Sequence, residues 1–206
     1  SEWQARIEER AARGLGLLPL IKQKGLKVLN QGQTNYCWIN GCTYALMVRL
    51  LRDRNQIIRL SPASGGAQIK NYRNEGGWGD EAMEFIEKNG LAPQELWPAN
   101  AIDRRYKTPE TDKEMLNYRV PKWVRLQDRN HDQVVSCLLR DMPVPAGFNW
   151  WSHLICYVDL VWRNGVACPI LANSWGESYG DQGFSVLEGE RMLVDGGVTV
   201  LSLLAA

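Results

Sequence analysis

The sequence predicts an α+β fold, a mainly helical first half followed by a mainly antiparallel β second half. Three observations carry this expectation. Trp38 to Leu51 holds no charge before Arg49, so it reads as a helix apolar on nearly every side and therefore buried. Residues 153–162 are rich in strand formers. Behind them Arg163-Asn164-Gly165 is a hairpin signal, with Val166 to Asn173 returning antiparallel.

The remaining elements follow in order. Trp3, Ile7 and Ala11 fall on one stripe of a helix over 2–13. Asp80 suits the N-cap of a helix over 81–88, and Asn89-Gly90 suits its end. A helix over 132–140 stops before Pro143, which cannot continue it. Phe184 to Leu187 and Val198 to Leu203 read as two further short strands, and the stretch 98–125 as loop. No internal repeat or low-complexity segment is visible. The chain has 206 residues, 45% of them hydrophobic, which is enough for one full core without cross-links. One domain is expected, with about residues 1–100 as its helical part and about 101–206 as its mainly β part.

Charge and rare residues exclude several classes of function. With 24 Lys and Arg against 23 Asp and Glu, the chain has no electrostatic footprint for nucleic acid or an anionic membrane. No apolar run is long enough to span a bilayer. There are 2 histidines, too few for a His-rich metal centre. The cysteines at 37, 42, 137, 156 and 168 contain no C-x-x-C spacing. No metal and no organic cofactor are expected. Five cysteines cannot all pair, and the polar start Ser1-Glu2-Trp3-Gln4-Ala5-Arg6 is no secretory signal. The expected setting is the cytoplasm or another reducing compartment.

The residues that could carry chemistry stand apart in the chain. Gln31-Gly32-Gln33-Thr34-Asn35-Tyr36 is a polar loop that runs into the buried helix and places Cys37 at its N-terminus. There the helix dipole and free N–H groups favour a thiolate, the nucleophilic form. A base is then required. His131 lies in a polar turn and is expected to face solvent or cap a helix. His153 opens an apolar strand behind Trp150-Trp151-Ser152, and Asn173 at the end of the returning strand can hold its tautomer.

Taken together, these segments resemble the papain family of cysteine peptidases. The order Gln31, Cys37-Trp38, His153, Asn173-Ser174-Trp175-Gly176, with Gly180 and Gly183 beyond, matches the family's. Asn74-Glu75-Gly76-Gly77-Trp78 resembles its glycine-glycine-aromatic cleft wall, and Leu91 to Pro98 a segment ending in an aromatic and a proline. The resemblance covers about residues 26–187. It departs from the family at Thr34, which stands where a half-cystine is usual. His153 follows Cys37 by 116 residues and Asn173 by 136. The first falls short of the usual spacing of about 130–150, which implies trimmed loops.

The resemblance implies a two-lobed papain-like fold with the active-site cleft between the lobes. It implies a Cys37 nucleophile, a His153 partner in a thiolate–imidazolium pair, and Asn173 orienting the imidazole. Gln31 and the Cys37 N–H would form the oxyanion hole, and Trp175 would cover the His–Asn contact. Gly76 and Gly77 would receive an extended peptide, while Trp78 and Leu154 would wall a pocket for the second residue before the scissile bond. Leu154, larger than the family's usual residue, leads to the expectation of a narrow pocket for small apolar side chains. The implied partner is a peptide or protein substrate.

Each residue alone has a plainer reading. Cys37 could be a small buried hydrophobe, His153 a satisfied core histidine, Asn173 a turn residue, and Trp78 and Trp175 core aromatics. The other four cysteines are read as structural, and Asp80, Glu81 and Glu84 as a cap and a solvated face. What favours chemistry is that the motifs occur together and in order.

One geometrical condition follows. A two-residue turn at Asn164-Gly165 pairs Arg163 with Val166 and puts Asn173 on the face opposite His153. A three-residue loop or a bulge is therefore expected, near Cys168-Pro169. Beside the peptidase reading stand two others: an amidase or acyl transferase with the same chemistry, and a papain-like subunit retained for structure or binding. With 36 residues before Cys37, no inhibitory propeptide is expected, and the N-terminal helix would suit docking into an assembly such as a phage particle.

Overall fold

The computed structural model describes residues 1–204. Helices come first: α1 (Glu2–Ala12), α2 (Leu17–Lys24), α3 (Cys37–Arg54), α4 (Pro62–Ile69) and α5 (Gly79–Asn89). After α6 (Pro109–Met115), β1 (Lys122–Leu126) and α7 (His131–Leu139) come β2 (Val144–Phe148), β3 (His153–Arg163), β4 (Val166–Ala172), β5 (Phe184–Val186) and β6 (Gly196–Ser202). The six strands form one sheet in the order β1-β6-β2-β3-β4-β5, every pairing antiparallel.

β3 divides the interior. Leu154, Cys156 and Val158 join the core around α3, whereas Ile155, Tyr157 and Leu160 join a second core with α7 and Ile7 of α1. The apolar face of α1 is thus used within the chain, on the β side rather than among the other N-terminal helices. Only Ile7 of its expected stripe is fully buried, and Ala11 is exposed. Helix α3 is buried along its whole length from Trp38 to Leu51. Its one buried cation, Arg49, is paired with Asp53 at 3.0 Å and donates to the Val200 carbonyl, tying α3 to β6.

Two helix starts differ from expectation for one reason: the side chain that satisfies the free N–H lies elsewhere. In α5 the Glu81 carboxylate accepts from the Trp78 N–H at 3.0 Å, so the helix begins at Gly79 and Asp80 sits inside it. In α7 the cap is Asn130, which accepts from Gln133. Helices α2 and α4 and strand β2 have no counterpart in the sequence expectations, and the stretch 98–125, expected to be loop, holds α6 and most of β1, with Thr108 capping α6 by accepting from Thr111 N.

The β3–β4 turn has two residues, Asn164 at φ 51° and Gly165 at φ 77°, the left-handed pair that a tight hairpin requires. A bulge is present, but not at Cys168-Pro169. It lies on β3, where Tyr157 pairs with Leu171 and Asp159 with Ile170, leaving Val158 unpaired. Pro169 keeps its place opposite Leu160, since its carbonyl, and hence the side of its missing N–H, faces Leu187 just beyond β5. Asp159 explains the bulge's position: its carboxylate accepts from Leu18 N in the first turn of α2 and from Leu160 N, both at 2.9 Å.

Candidate active site

The site is assembled where two loops meet. Gln31 N donates to the Ser174 carbonyl at 2.7 Å and Gly176 N to the Leu29 carbonyl at 3.1 Å, forming a short antiparallel bridge between the segment before α3 and the one after β4. The same contact orients the Gln31 side chain. Ser174 Oγ donates to Gln31 Oε1 at 2.6 Å, and Gln31 Nε2 donates one of its two hydrogens to the Thr34 carbonyl at 3.0 Å.

Cys37 is the first residue of α3, half-buried, at a terminus with no side-chain cap. Backbone N–H groups of Leu154, Trp38 and Cys37 itself favour its thiolate, but burial outweighs them and pushes the thiol above its ordinary value. His153 opens β3 and is 9% exposed. Burial holds its imidazole below the ordinary value, opposed by the hydrogen bond to Asn173. Each charge taken singly is disfavoured here.

The bulge at Val158 has its consequence at this point. Beyond it the register is Cys156 with Ala172, which carries Asn173 onto the face shared by Ile155 and His153. His153 Nε2 and Asn173 Oδ1 are 2.8 Å apart. Asn173 Oδ1 also accepts from Ser174 N at 2.8 Å, which fixes the oxygen on that side of the amide. The imidazole must therefore donate through Nε2, and Nδ1 is left unprotonated in the neutral ring. Asn173 Nδ2 is buried without a partner. Trp175 stacks on His153, with centroids 4.7 Å apart and planes at 23°.

Cys37, His153 and Leu154 line one cavity of about 650 Å³ together with Gly76, Gly77 and Trp78. Trp78 is 67% exposed. The Gly76–Gly77 segment is held by α3 and the loop before it. Trp38 Nε1 donates to the Glu75 carbonyl at 3.1 Å and Tyr36 Oη to that of Arg73 at 2.7 Å. A Cβ at Gly77 would lie 2.7 Å from the Trp38 ring, so this close approach requires glycine. Asn35 donates twice to Asn74, from its N–H to Oδ1 at 2.6 Å and from its Nδ2 to the carbonyl at 3.0 Å. Gly147, Gly196 and Gly197 line the cavity too, alongside Phe148, Asn149 and Val198.

The structure thus brings Cys37, His153, Gly76, Gly77, Trp78 and Leu154 to one cavity, with Asn173, Trp175 and Gln31 just behind it. Ser174, Asn35 and Asn74 hold these residues in place; each lies within a segment the sequence singled out, but its bonding role does not show there, since its partner is distant in the chain. His131 neither faces solvent nor caps α7. It is half-buried, with Nε2 at 2.9 Å from the Ala167 carbonyl and Nδ1 enclosed without a partner. All five cysteines are free, and no group of three or more His, Cys, Asp or Glu among the described residues could hold a metal ion.

No family model matches the chain. Mouse cathepsin K is 23% identical over 214 residues, a match covering 90% of this chain and 61% of that protein. Maize cysteine proteinase 2 is 25% identical over 186 residues, covering 78% of this chain and 51% of that protein. The chain therefore spans only about half to three fifths of these relatives' length. Among solved structures, digestive procathepsin L 3 of Tenebrio molitor larval midgut aligns with a TM-score of 0.70 at 19% identity, over 85% of this chain and 66% of that one. Xylellain, a cysteine protease from Xylella fastidiosa, aligns with a TM-score of 0.68 at 16% identity, over 84% and 82%.

Proposed function

We propose that this chain, papain-like in fold, is a cysteine peptidase that hydrolyses peptide bonds through a thioester intermediate. The observation that carries the reading is the 2.8 Å contact of His153 Nε2 with Asn173 Oδ1, made by a buried imidazole lining the same cavity as Cys37. With Nε2–H committed to Asn173, Nδ1 is the free base. It takes the thiol proton as Sγ attacks the scissile carbonyl, then gives that proton to the leaving amine as the C–N bond breaks. Water attacks the resulting thioester, losing its proton to Nδ1, and expels Sγ. The second hydrogen of Gln31 Nε2 and the Cys37 N–H, one of the helix's unpaired first-turn donors, stabilise the oxyanion.

The substrate is a peptide or protein with an extended segment along Gly76 and Gly77. A Cβ at Gly76 would meet nothing within 4 Å, so that position stays open to a second backbone. For the pocket beside it, the surroundings of Leu154 favour a wider reading than the size of its side chain alone suggests. Leu154 leans onto Gly41 and Gly79, where any side chain would collide with it or crowd it, and Gly147, Gly196 and Gly197 are among the other residues of the lining. Space for a large apolar side chain remains, and peptides carrying leucine or phenylalanine there should be cleaved faster than those carrying alanine. The five free thiols support a reducing setting.

The test is hydrolysis of a mixed peptide library under reducing conditions by the wild type and Cys37→Ser, with an epoxide-type thiol inhibitor mapped by peptide sequencing. Cleavage lost in the variant, and blocked by modification at Cys37, supports the reading. Transfer of the acyl group to an added amine in preference to water would move it to acyl transfer. Absence of cleavage together with an unlabelled Cys37 would sink it.

A further inference from the structure

We propose that Trp151 is a positioning residue that fixes the rotation of the His153 ring; this rests on the peptidase reading above. The bond to Asn173 holds one atom of the imidazole, and its rotation about Cβ–Cγ must still be set for Nδ1 to meet the thiol. Two indoles set it. Trp175 stacks on the imidazole at 4.7 Å, and Trp151 stands across the side of that stack, 4.9 Å from His153 and 5.6 Å from Trp175, at 68° and 90° to them. A ring stacked on one indole and bounded at its side by another cannot turn without displacing one of them.

Trp151 is itself braced. Trp150 stacks on it with centroids 5.0 Å apart and planes at 9°. Trp150 Nε1 donates to the Arg191 carbonyl at 3.0 Å, and the Arg191 guanidinium lies 5.0 Å over the same ring. Phe148 packs against both indoles at 6.1 and 6.3 Å. The turn that allows two successive tryptophans to stack closes through Ser152 in the left-handed region, at φ 48°. A brace reaching from β2 to the Gly189–Met192 turn is more than a lone core aromatic needs.

The groups that meet the imidazole from the packed elements are Asn173 and Trp175 after β4 and Trp151 from the turn, all neutral, with the Cys37 thiol sharing its cavity. Asp80, Asp128, Asp195 and Arg125 line the cavity walls, and none forms an ion pair with His153 among the described residues. Burial, to which the two indoles packed on the ring contribute, is then what makes the imidazolium costly.

The experiment is the rate of Cys37 alkylation by iodoacetamide against pH, in the wild type, His153→Ala, Trp151→Ala and Trp151→Phe, with thermal unfolding of each. Alkylation needs no peptide turnover. In Trp151→Ala the neutral-pH rate should fall about tenfold, equivalent to about 1.4 kcal/mol. Its acid limb should move up toward the ordinary histidine range as the ring gains water. Trp151→Phe should keep both near wild type. A uniform fall with an unmoved limb, or a profile like the wild type's, would overturn the role of Trp151 alone. A wild-type profile identical to that of His153→Ala would overturn the peptidase reading and this proposal with it.

Discussion

The two histidines of this chain show what separates a base from a bystander. His131 and His153 each place Nε2 within hydrogen-bond distance of an oxygen, at 2.9 and 2.8 Å. At His131 the partner is the Ala167 carbonyl of β4, and Nδ1 is enclosed with nothing to accept from. At His153 the partner is an amide oxygen fixed by Ser174 N–H, and the ring lines a cavity that a thiol also lines. The first histidine fastens α7 to the sheet. The second has one nitrogen committed and the other available, which is the condition for moving a proton.

The largest effects should separate these two residues. His153→Ala should lower kcat/KM by more than about a thousandfold, because nucleophile and base act as a unit. His131→Ala should stay within about threefold in kcat/KM, its cost falling on stability at about 1 kcal/mol and measured by thermal unfolding. Next come the residues that address only the transition state. Gln31→Ala should cost about a hundredfold in kcat with little change in KM. Ser174→Ala removes only the bond that orients Gln31 and should cost about tenfold, within the range for one hydrogen bond to a neutral group. Smallest is a change of preference: Gly147→Val puts a side chain into the pocket wall and should shift the kcat/KM ratio of alanine to phenylalanine peptides about tenfold toward alanine.

How legible the site was depends on where its information lies. Cys37, His153 and Asn173 could be read because each sits at the end of a strongly patterned element: a helix apolar on all sides and two strands around an Asn-Gly turn. The need for a bulge was also legible, since parity of side chains along β3 and β4 demands one. Its position was not. Proline at 169 looks like the break, but its missing N–H faces beyond the edge of β5. The extra residue is at 158, beside an Asp159 whose carboxylate caps a helix 141 positions away in sequence.

The same holds for the missed helices. Helix α4 is short and holds Gly65 and Gly66, poor helix formers that serve here to let Ile39 and Tyr36 approach. Strand β2 contains Pro145, yet it pairs along its length with β3. Tertiary packing overrides propensity in both. Ser174 was visible as part of a motif, but its bond to Gln31 spans 143 residues and only the fold reveals it.

The central claim is that Cys37 and His153 function as a pair, and the alkylation rate of Cys37 across pH in the wild type and His153→Ala tests it most directly. Burial alone pushes the thiol above its ordinary value and the imidazole below its own. An unassisted Cys37 should therefore react only at pH values above the normal cysteine range, whereas one served by His153 should react from below the ordinary histidine range upward. The account predicts reaction at neutral pH in the wild type and in His131→Ala, and its loss in His153→Ala. Superimposable curves for the wild type and His153→Ala would contradict it.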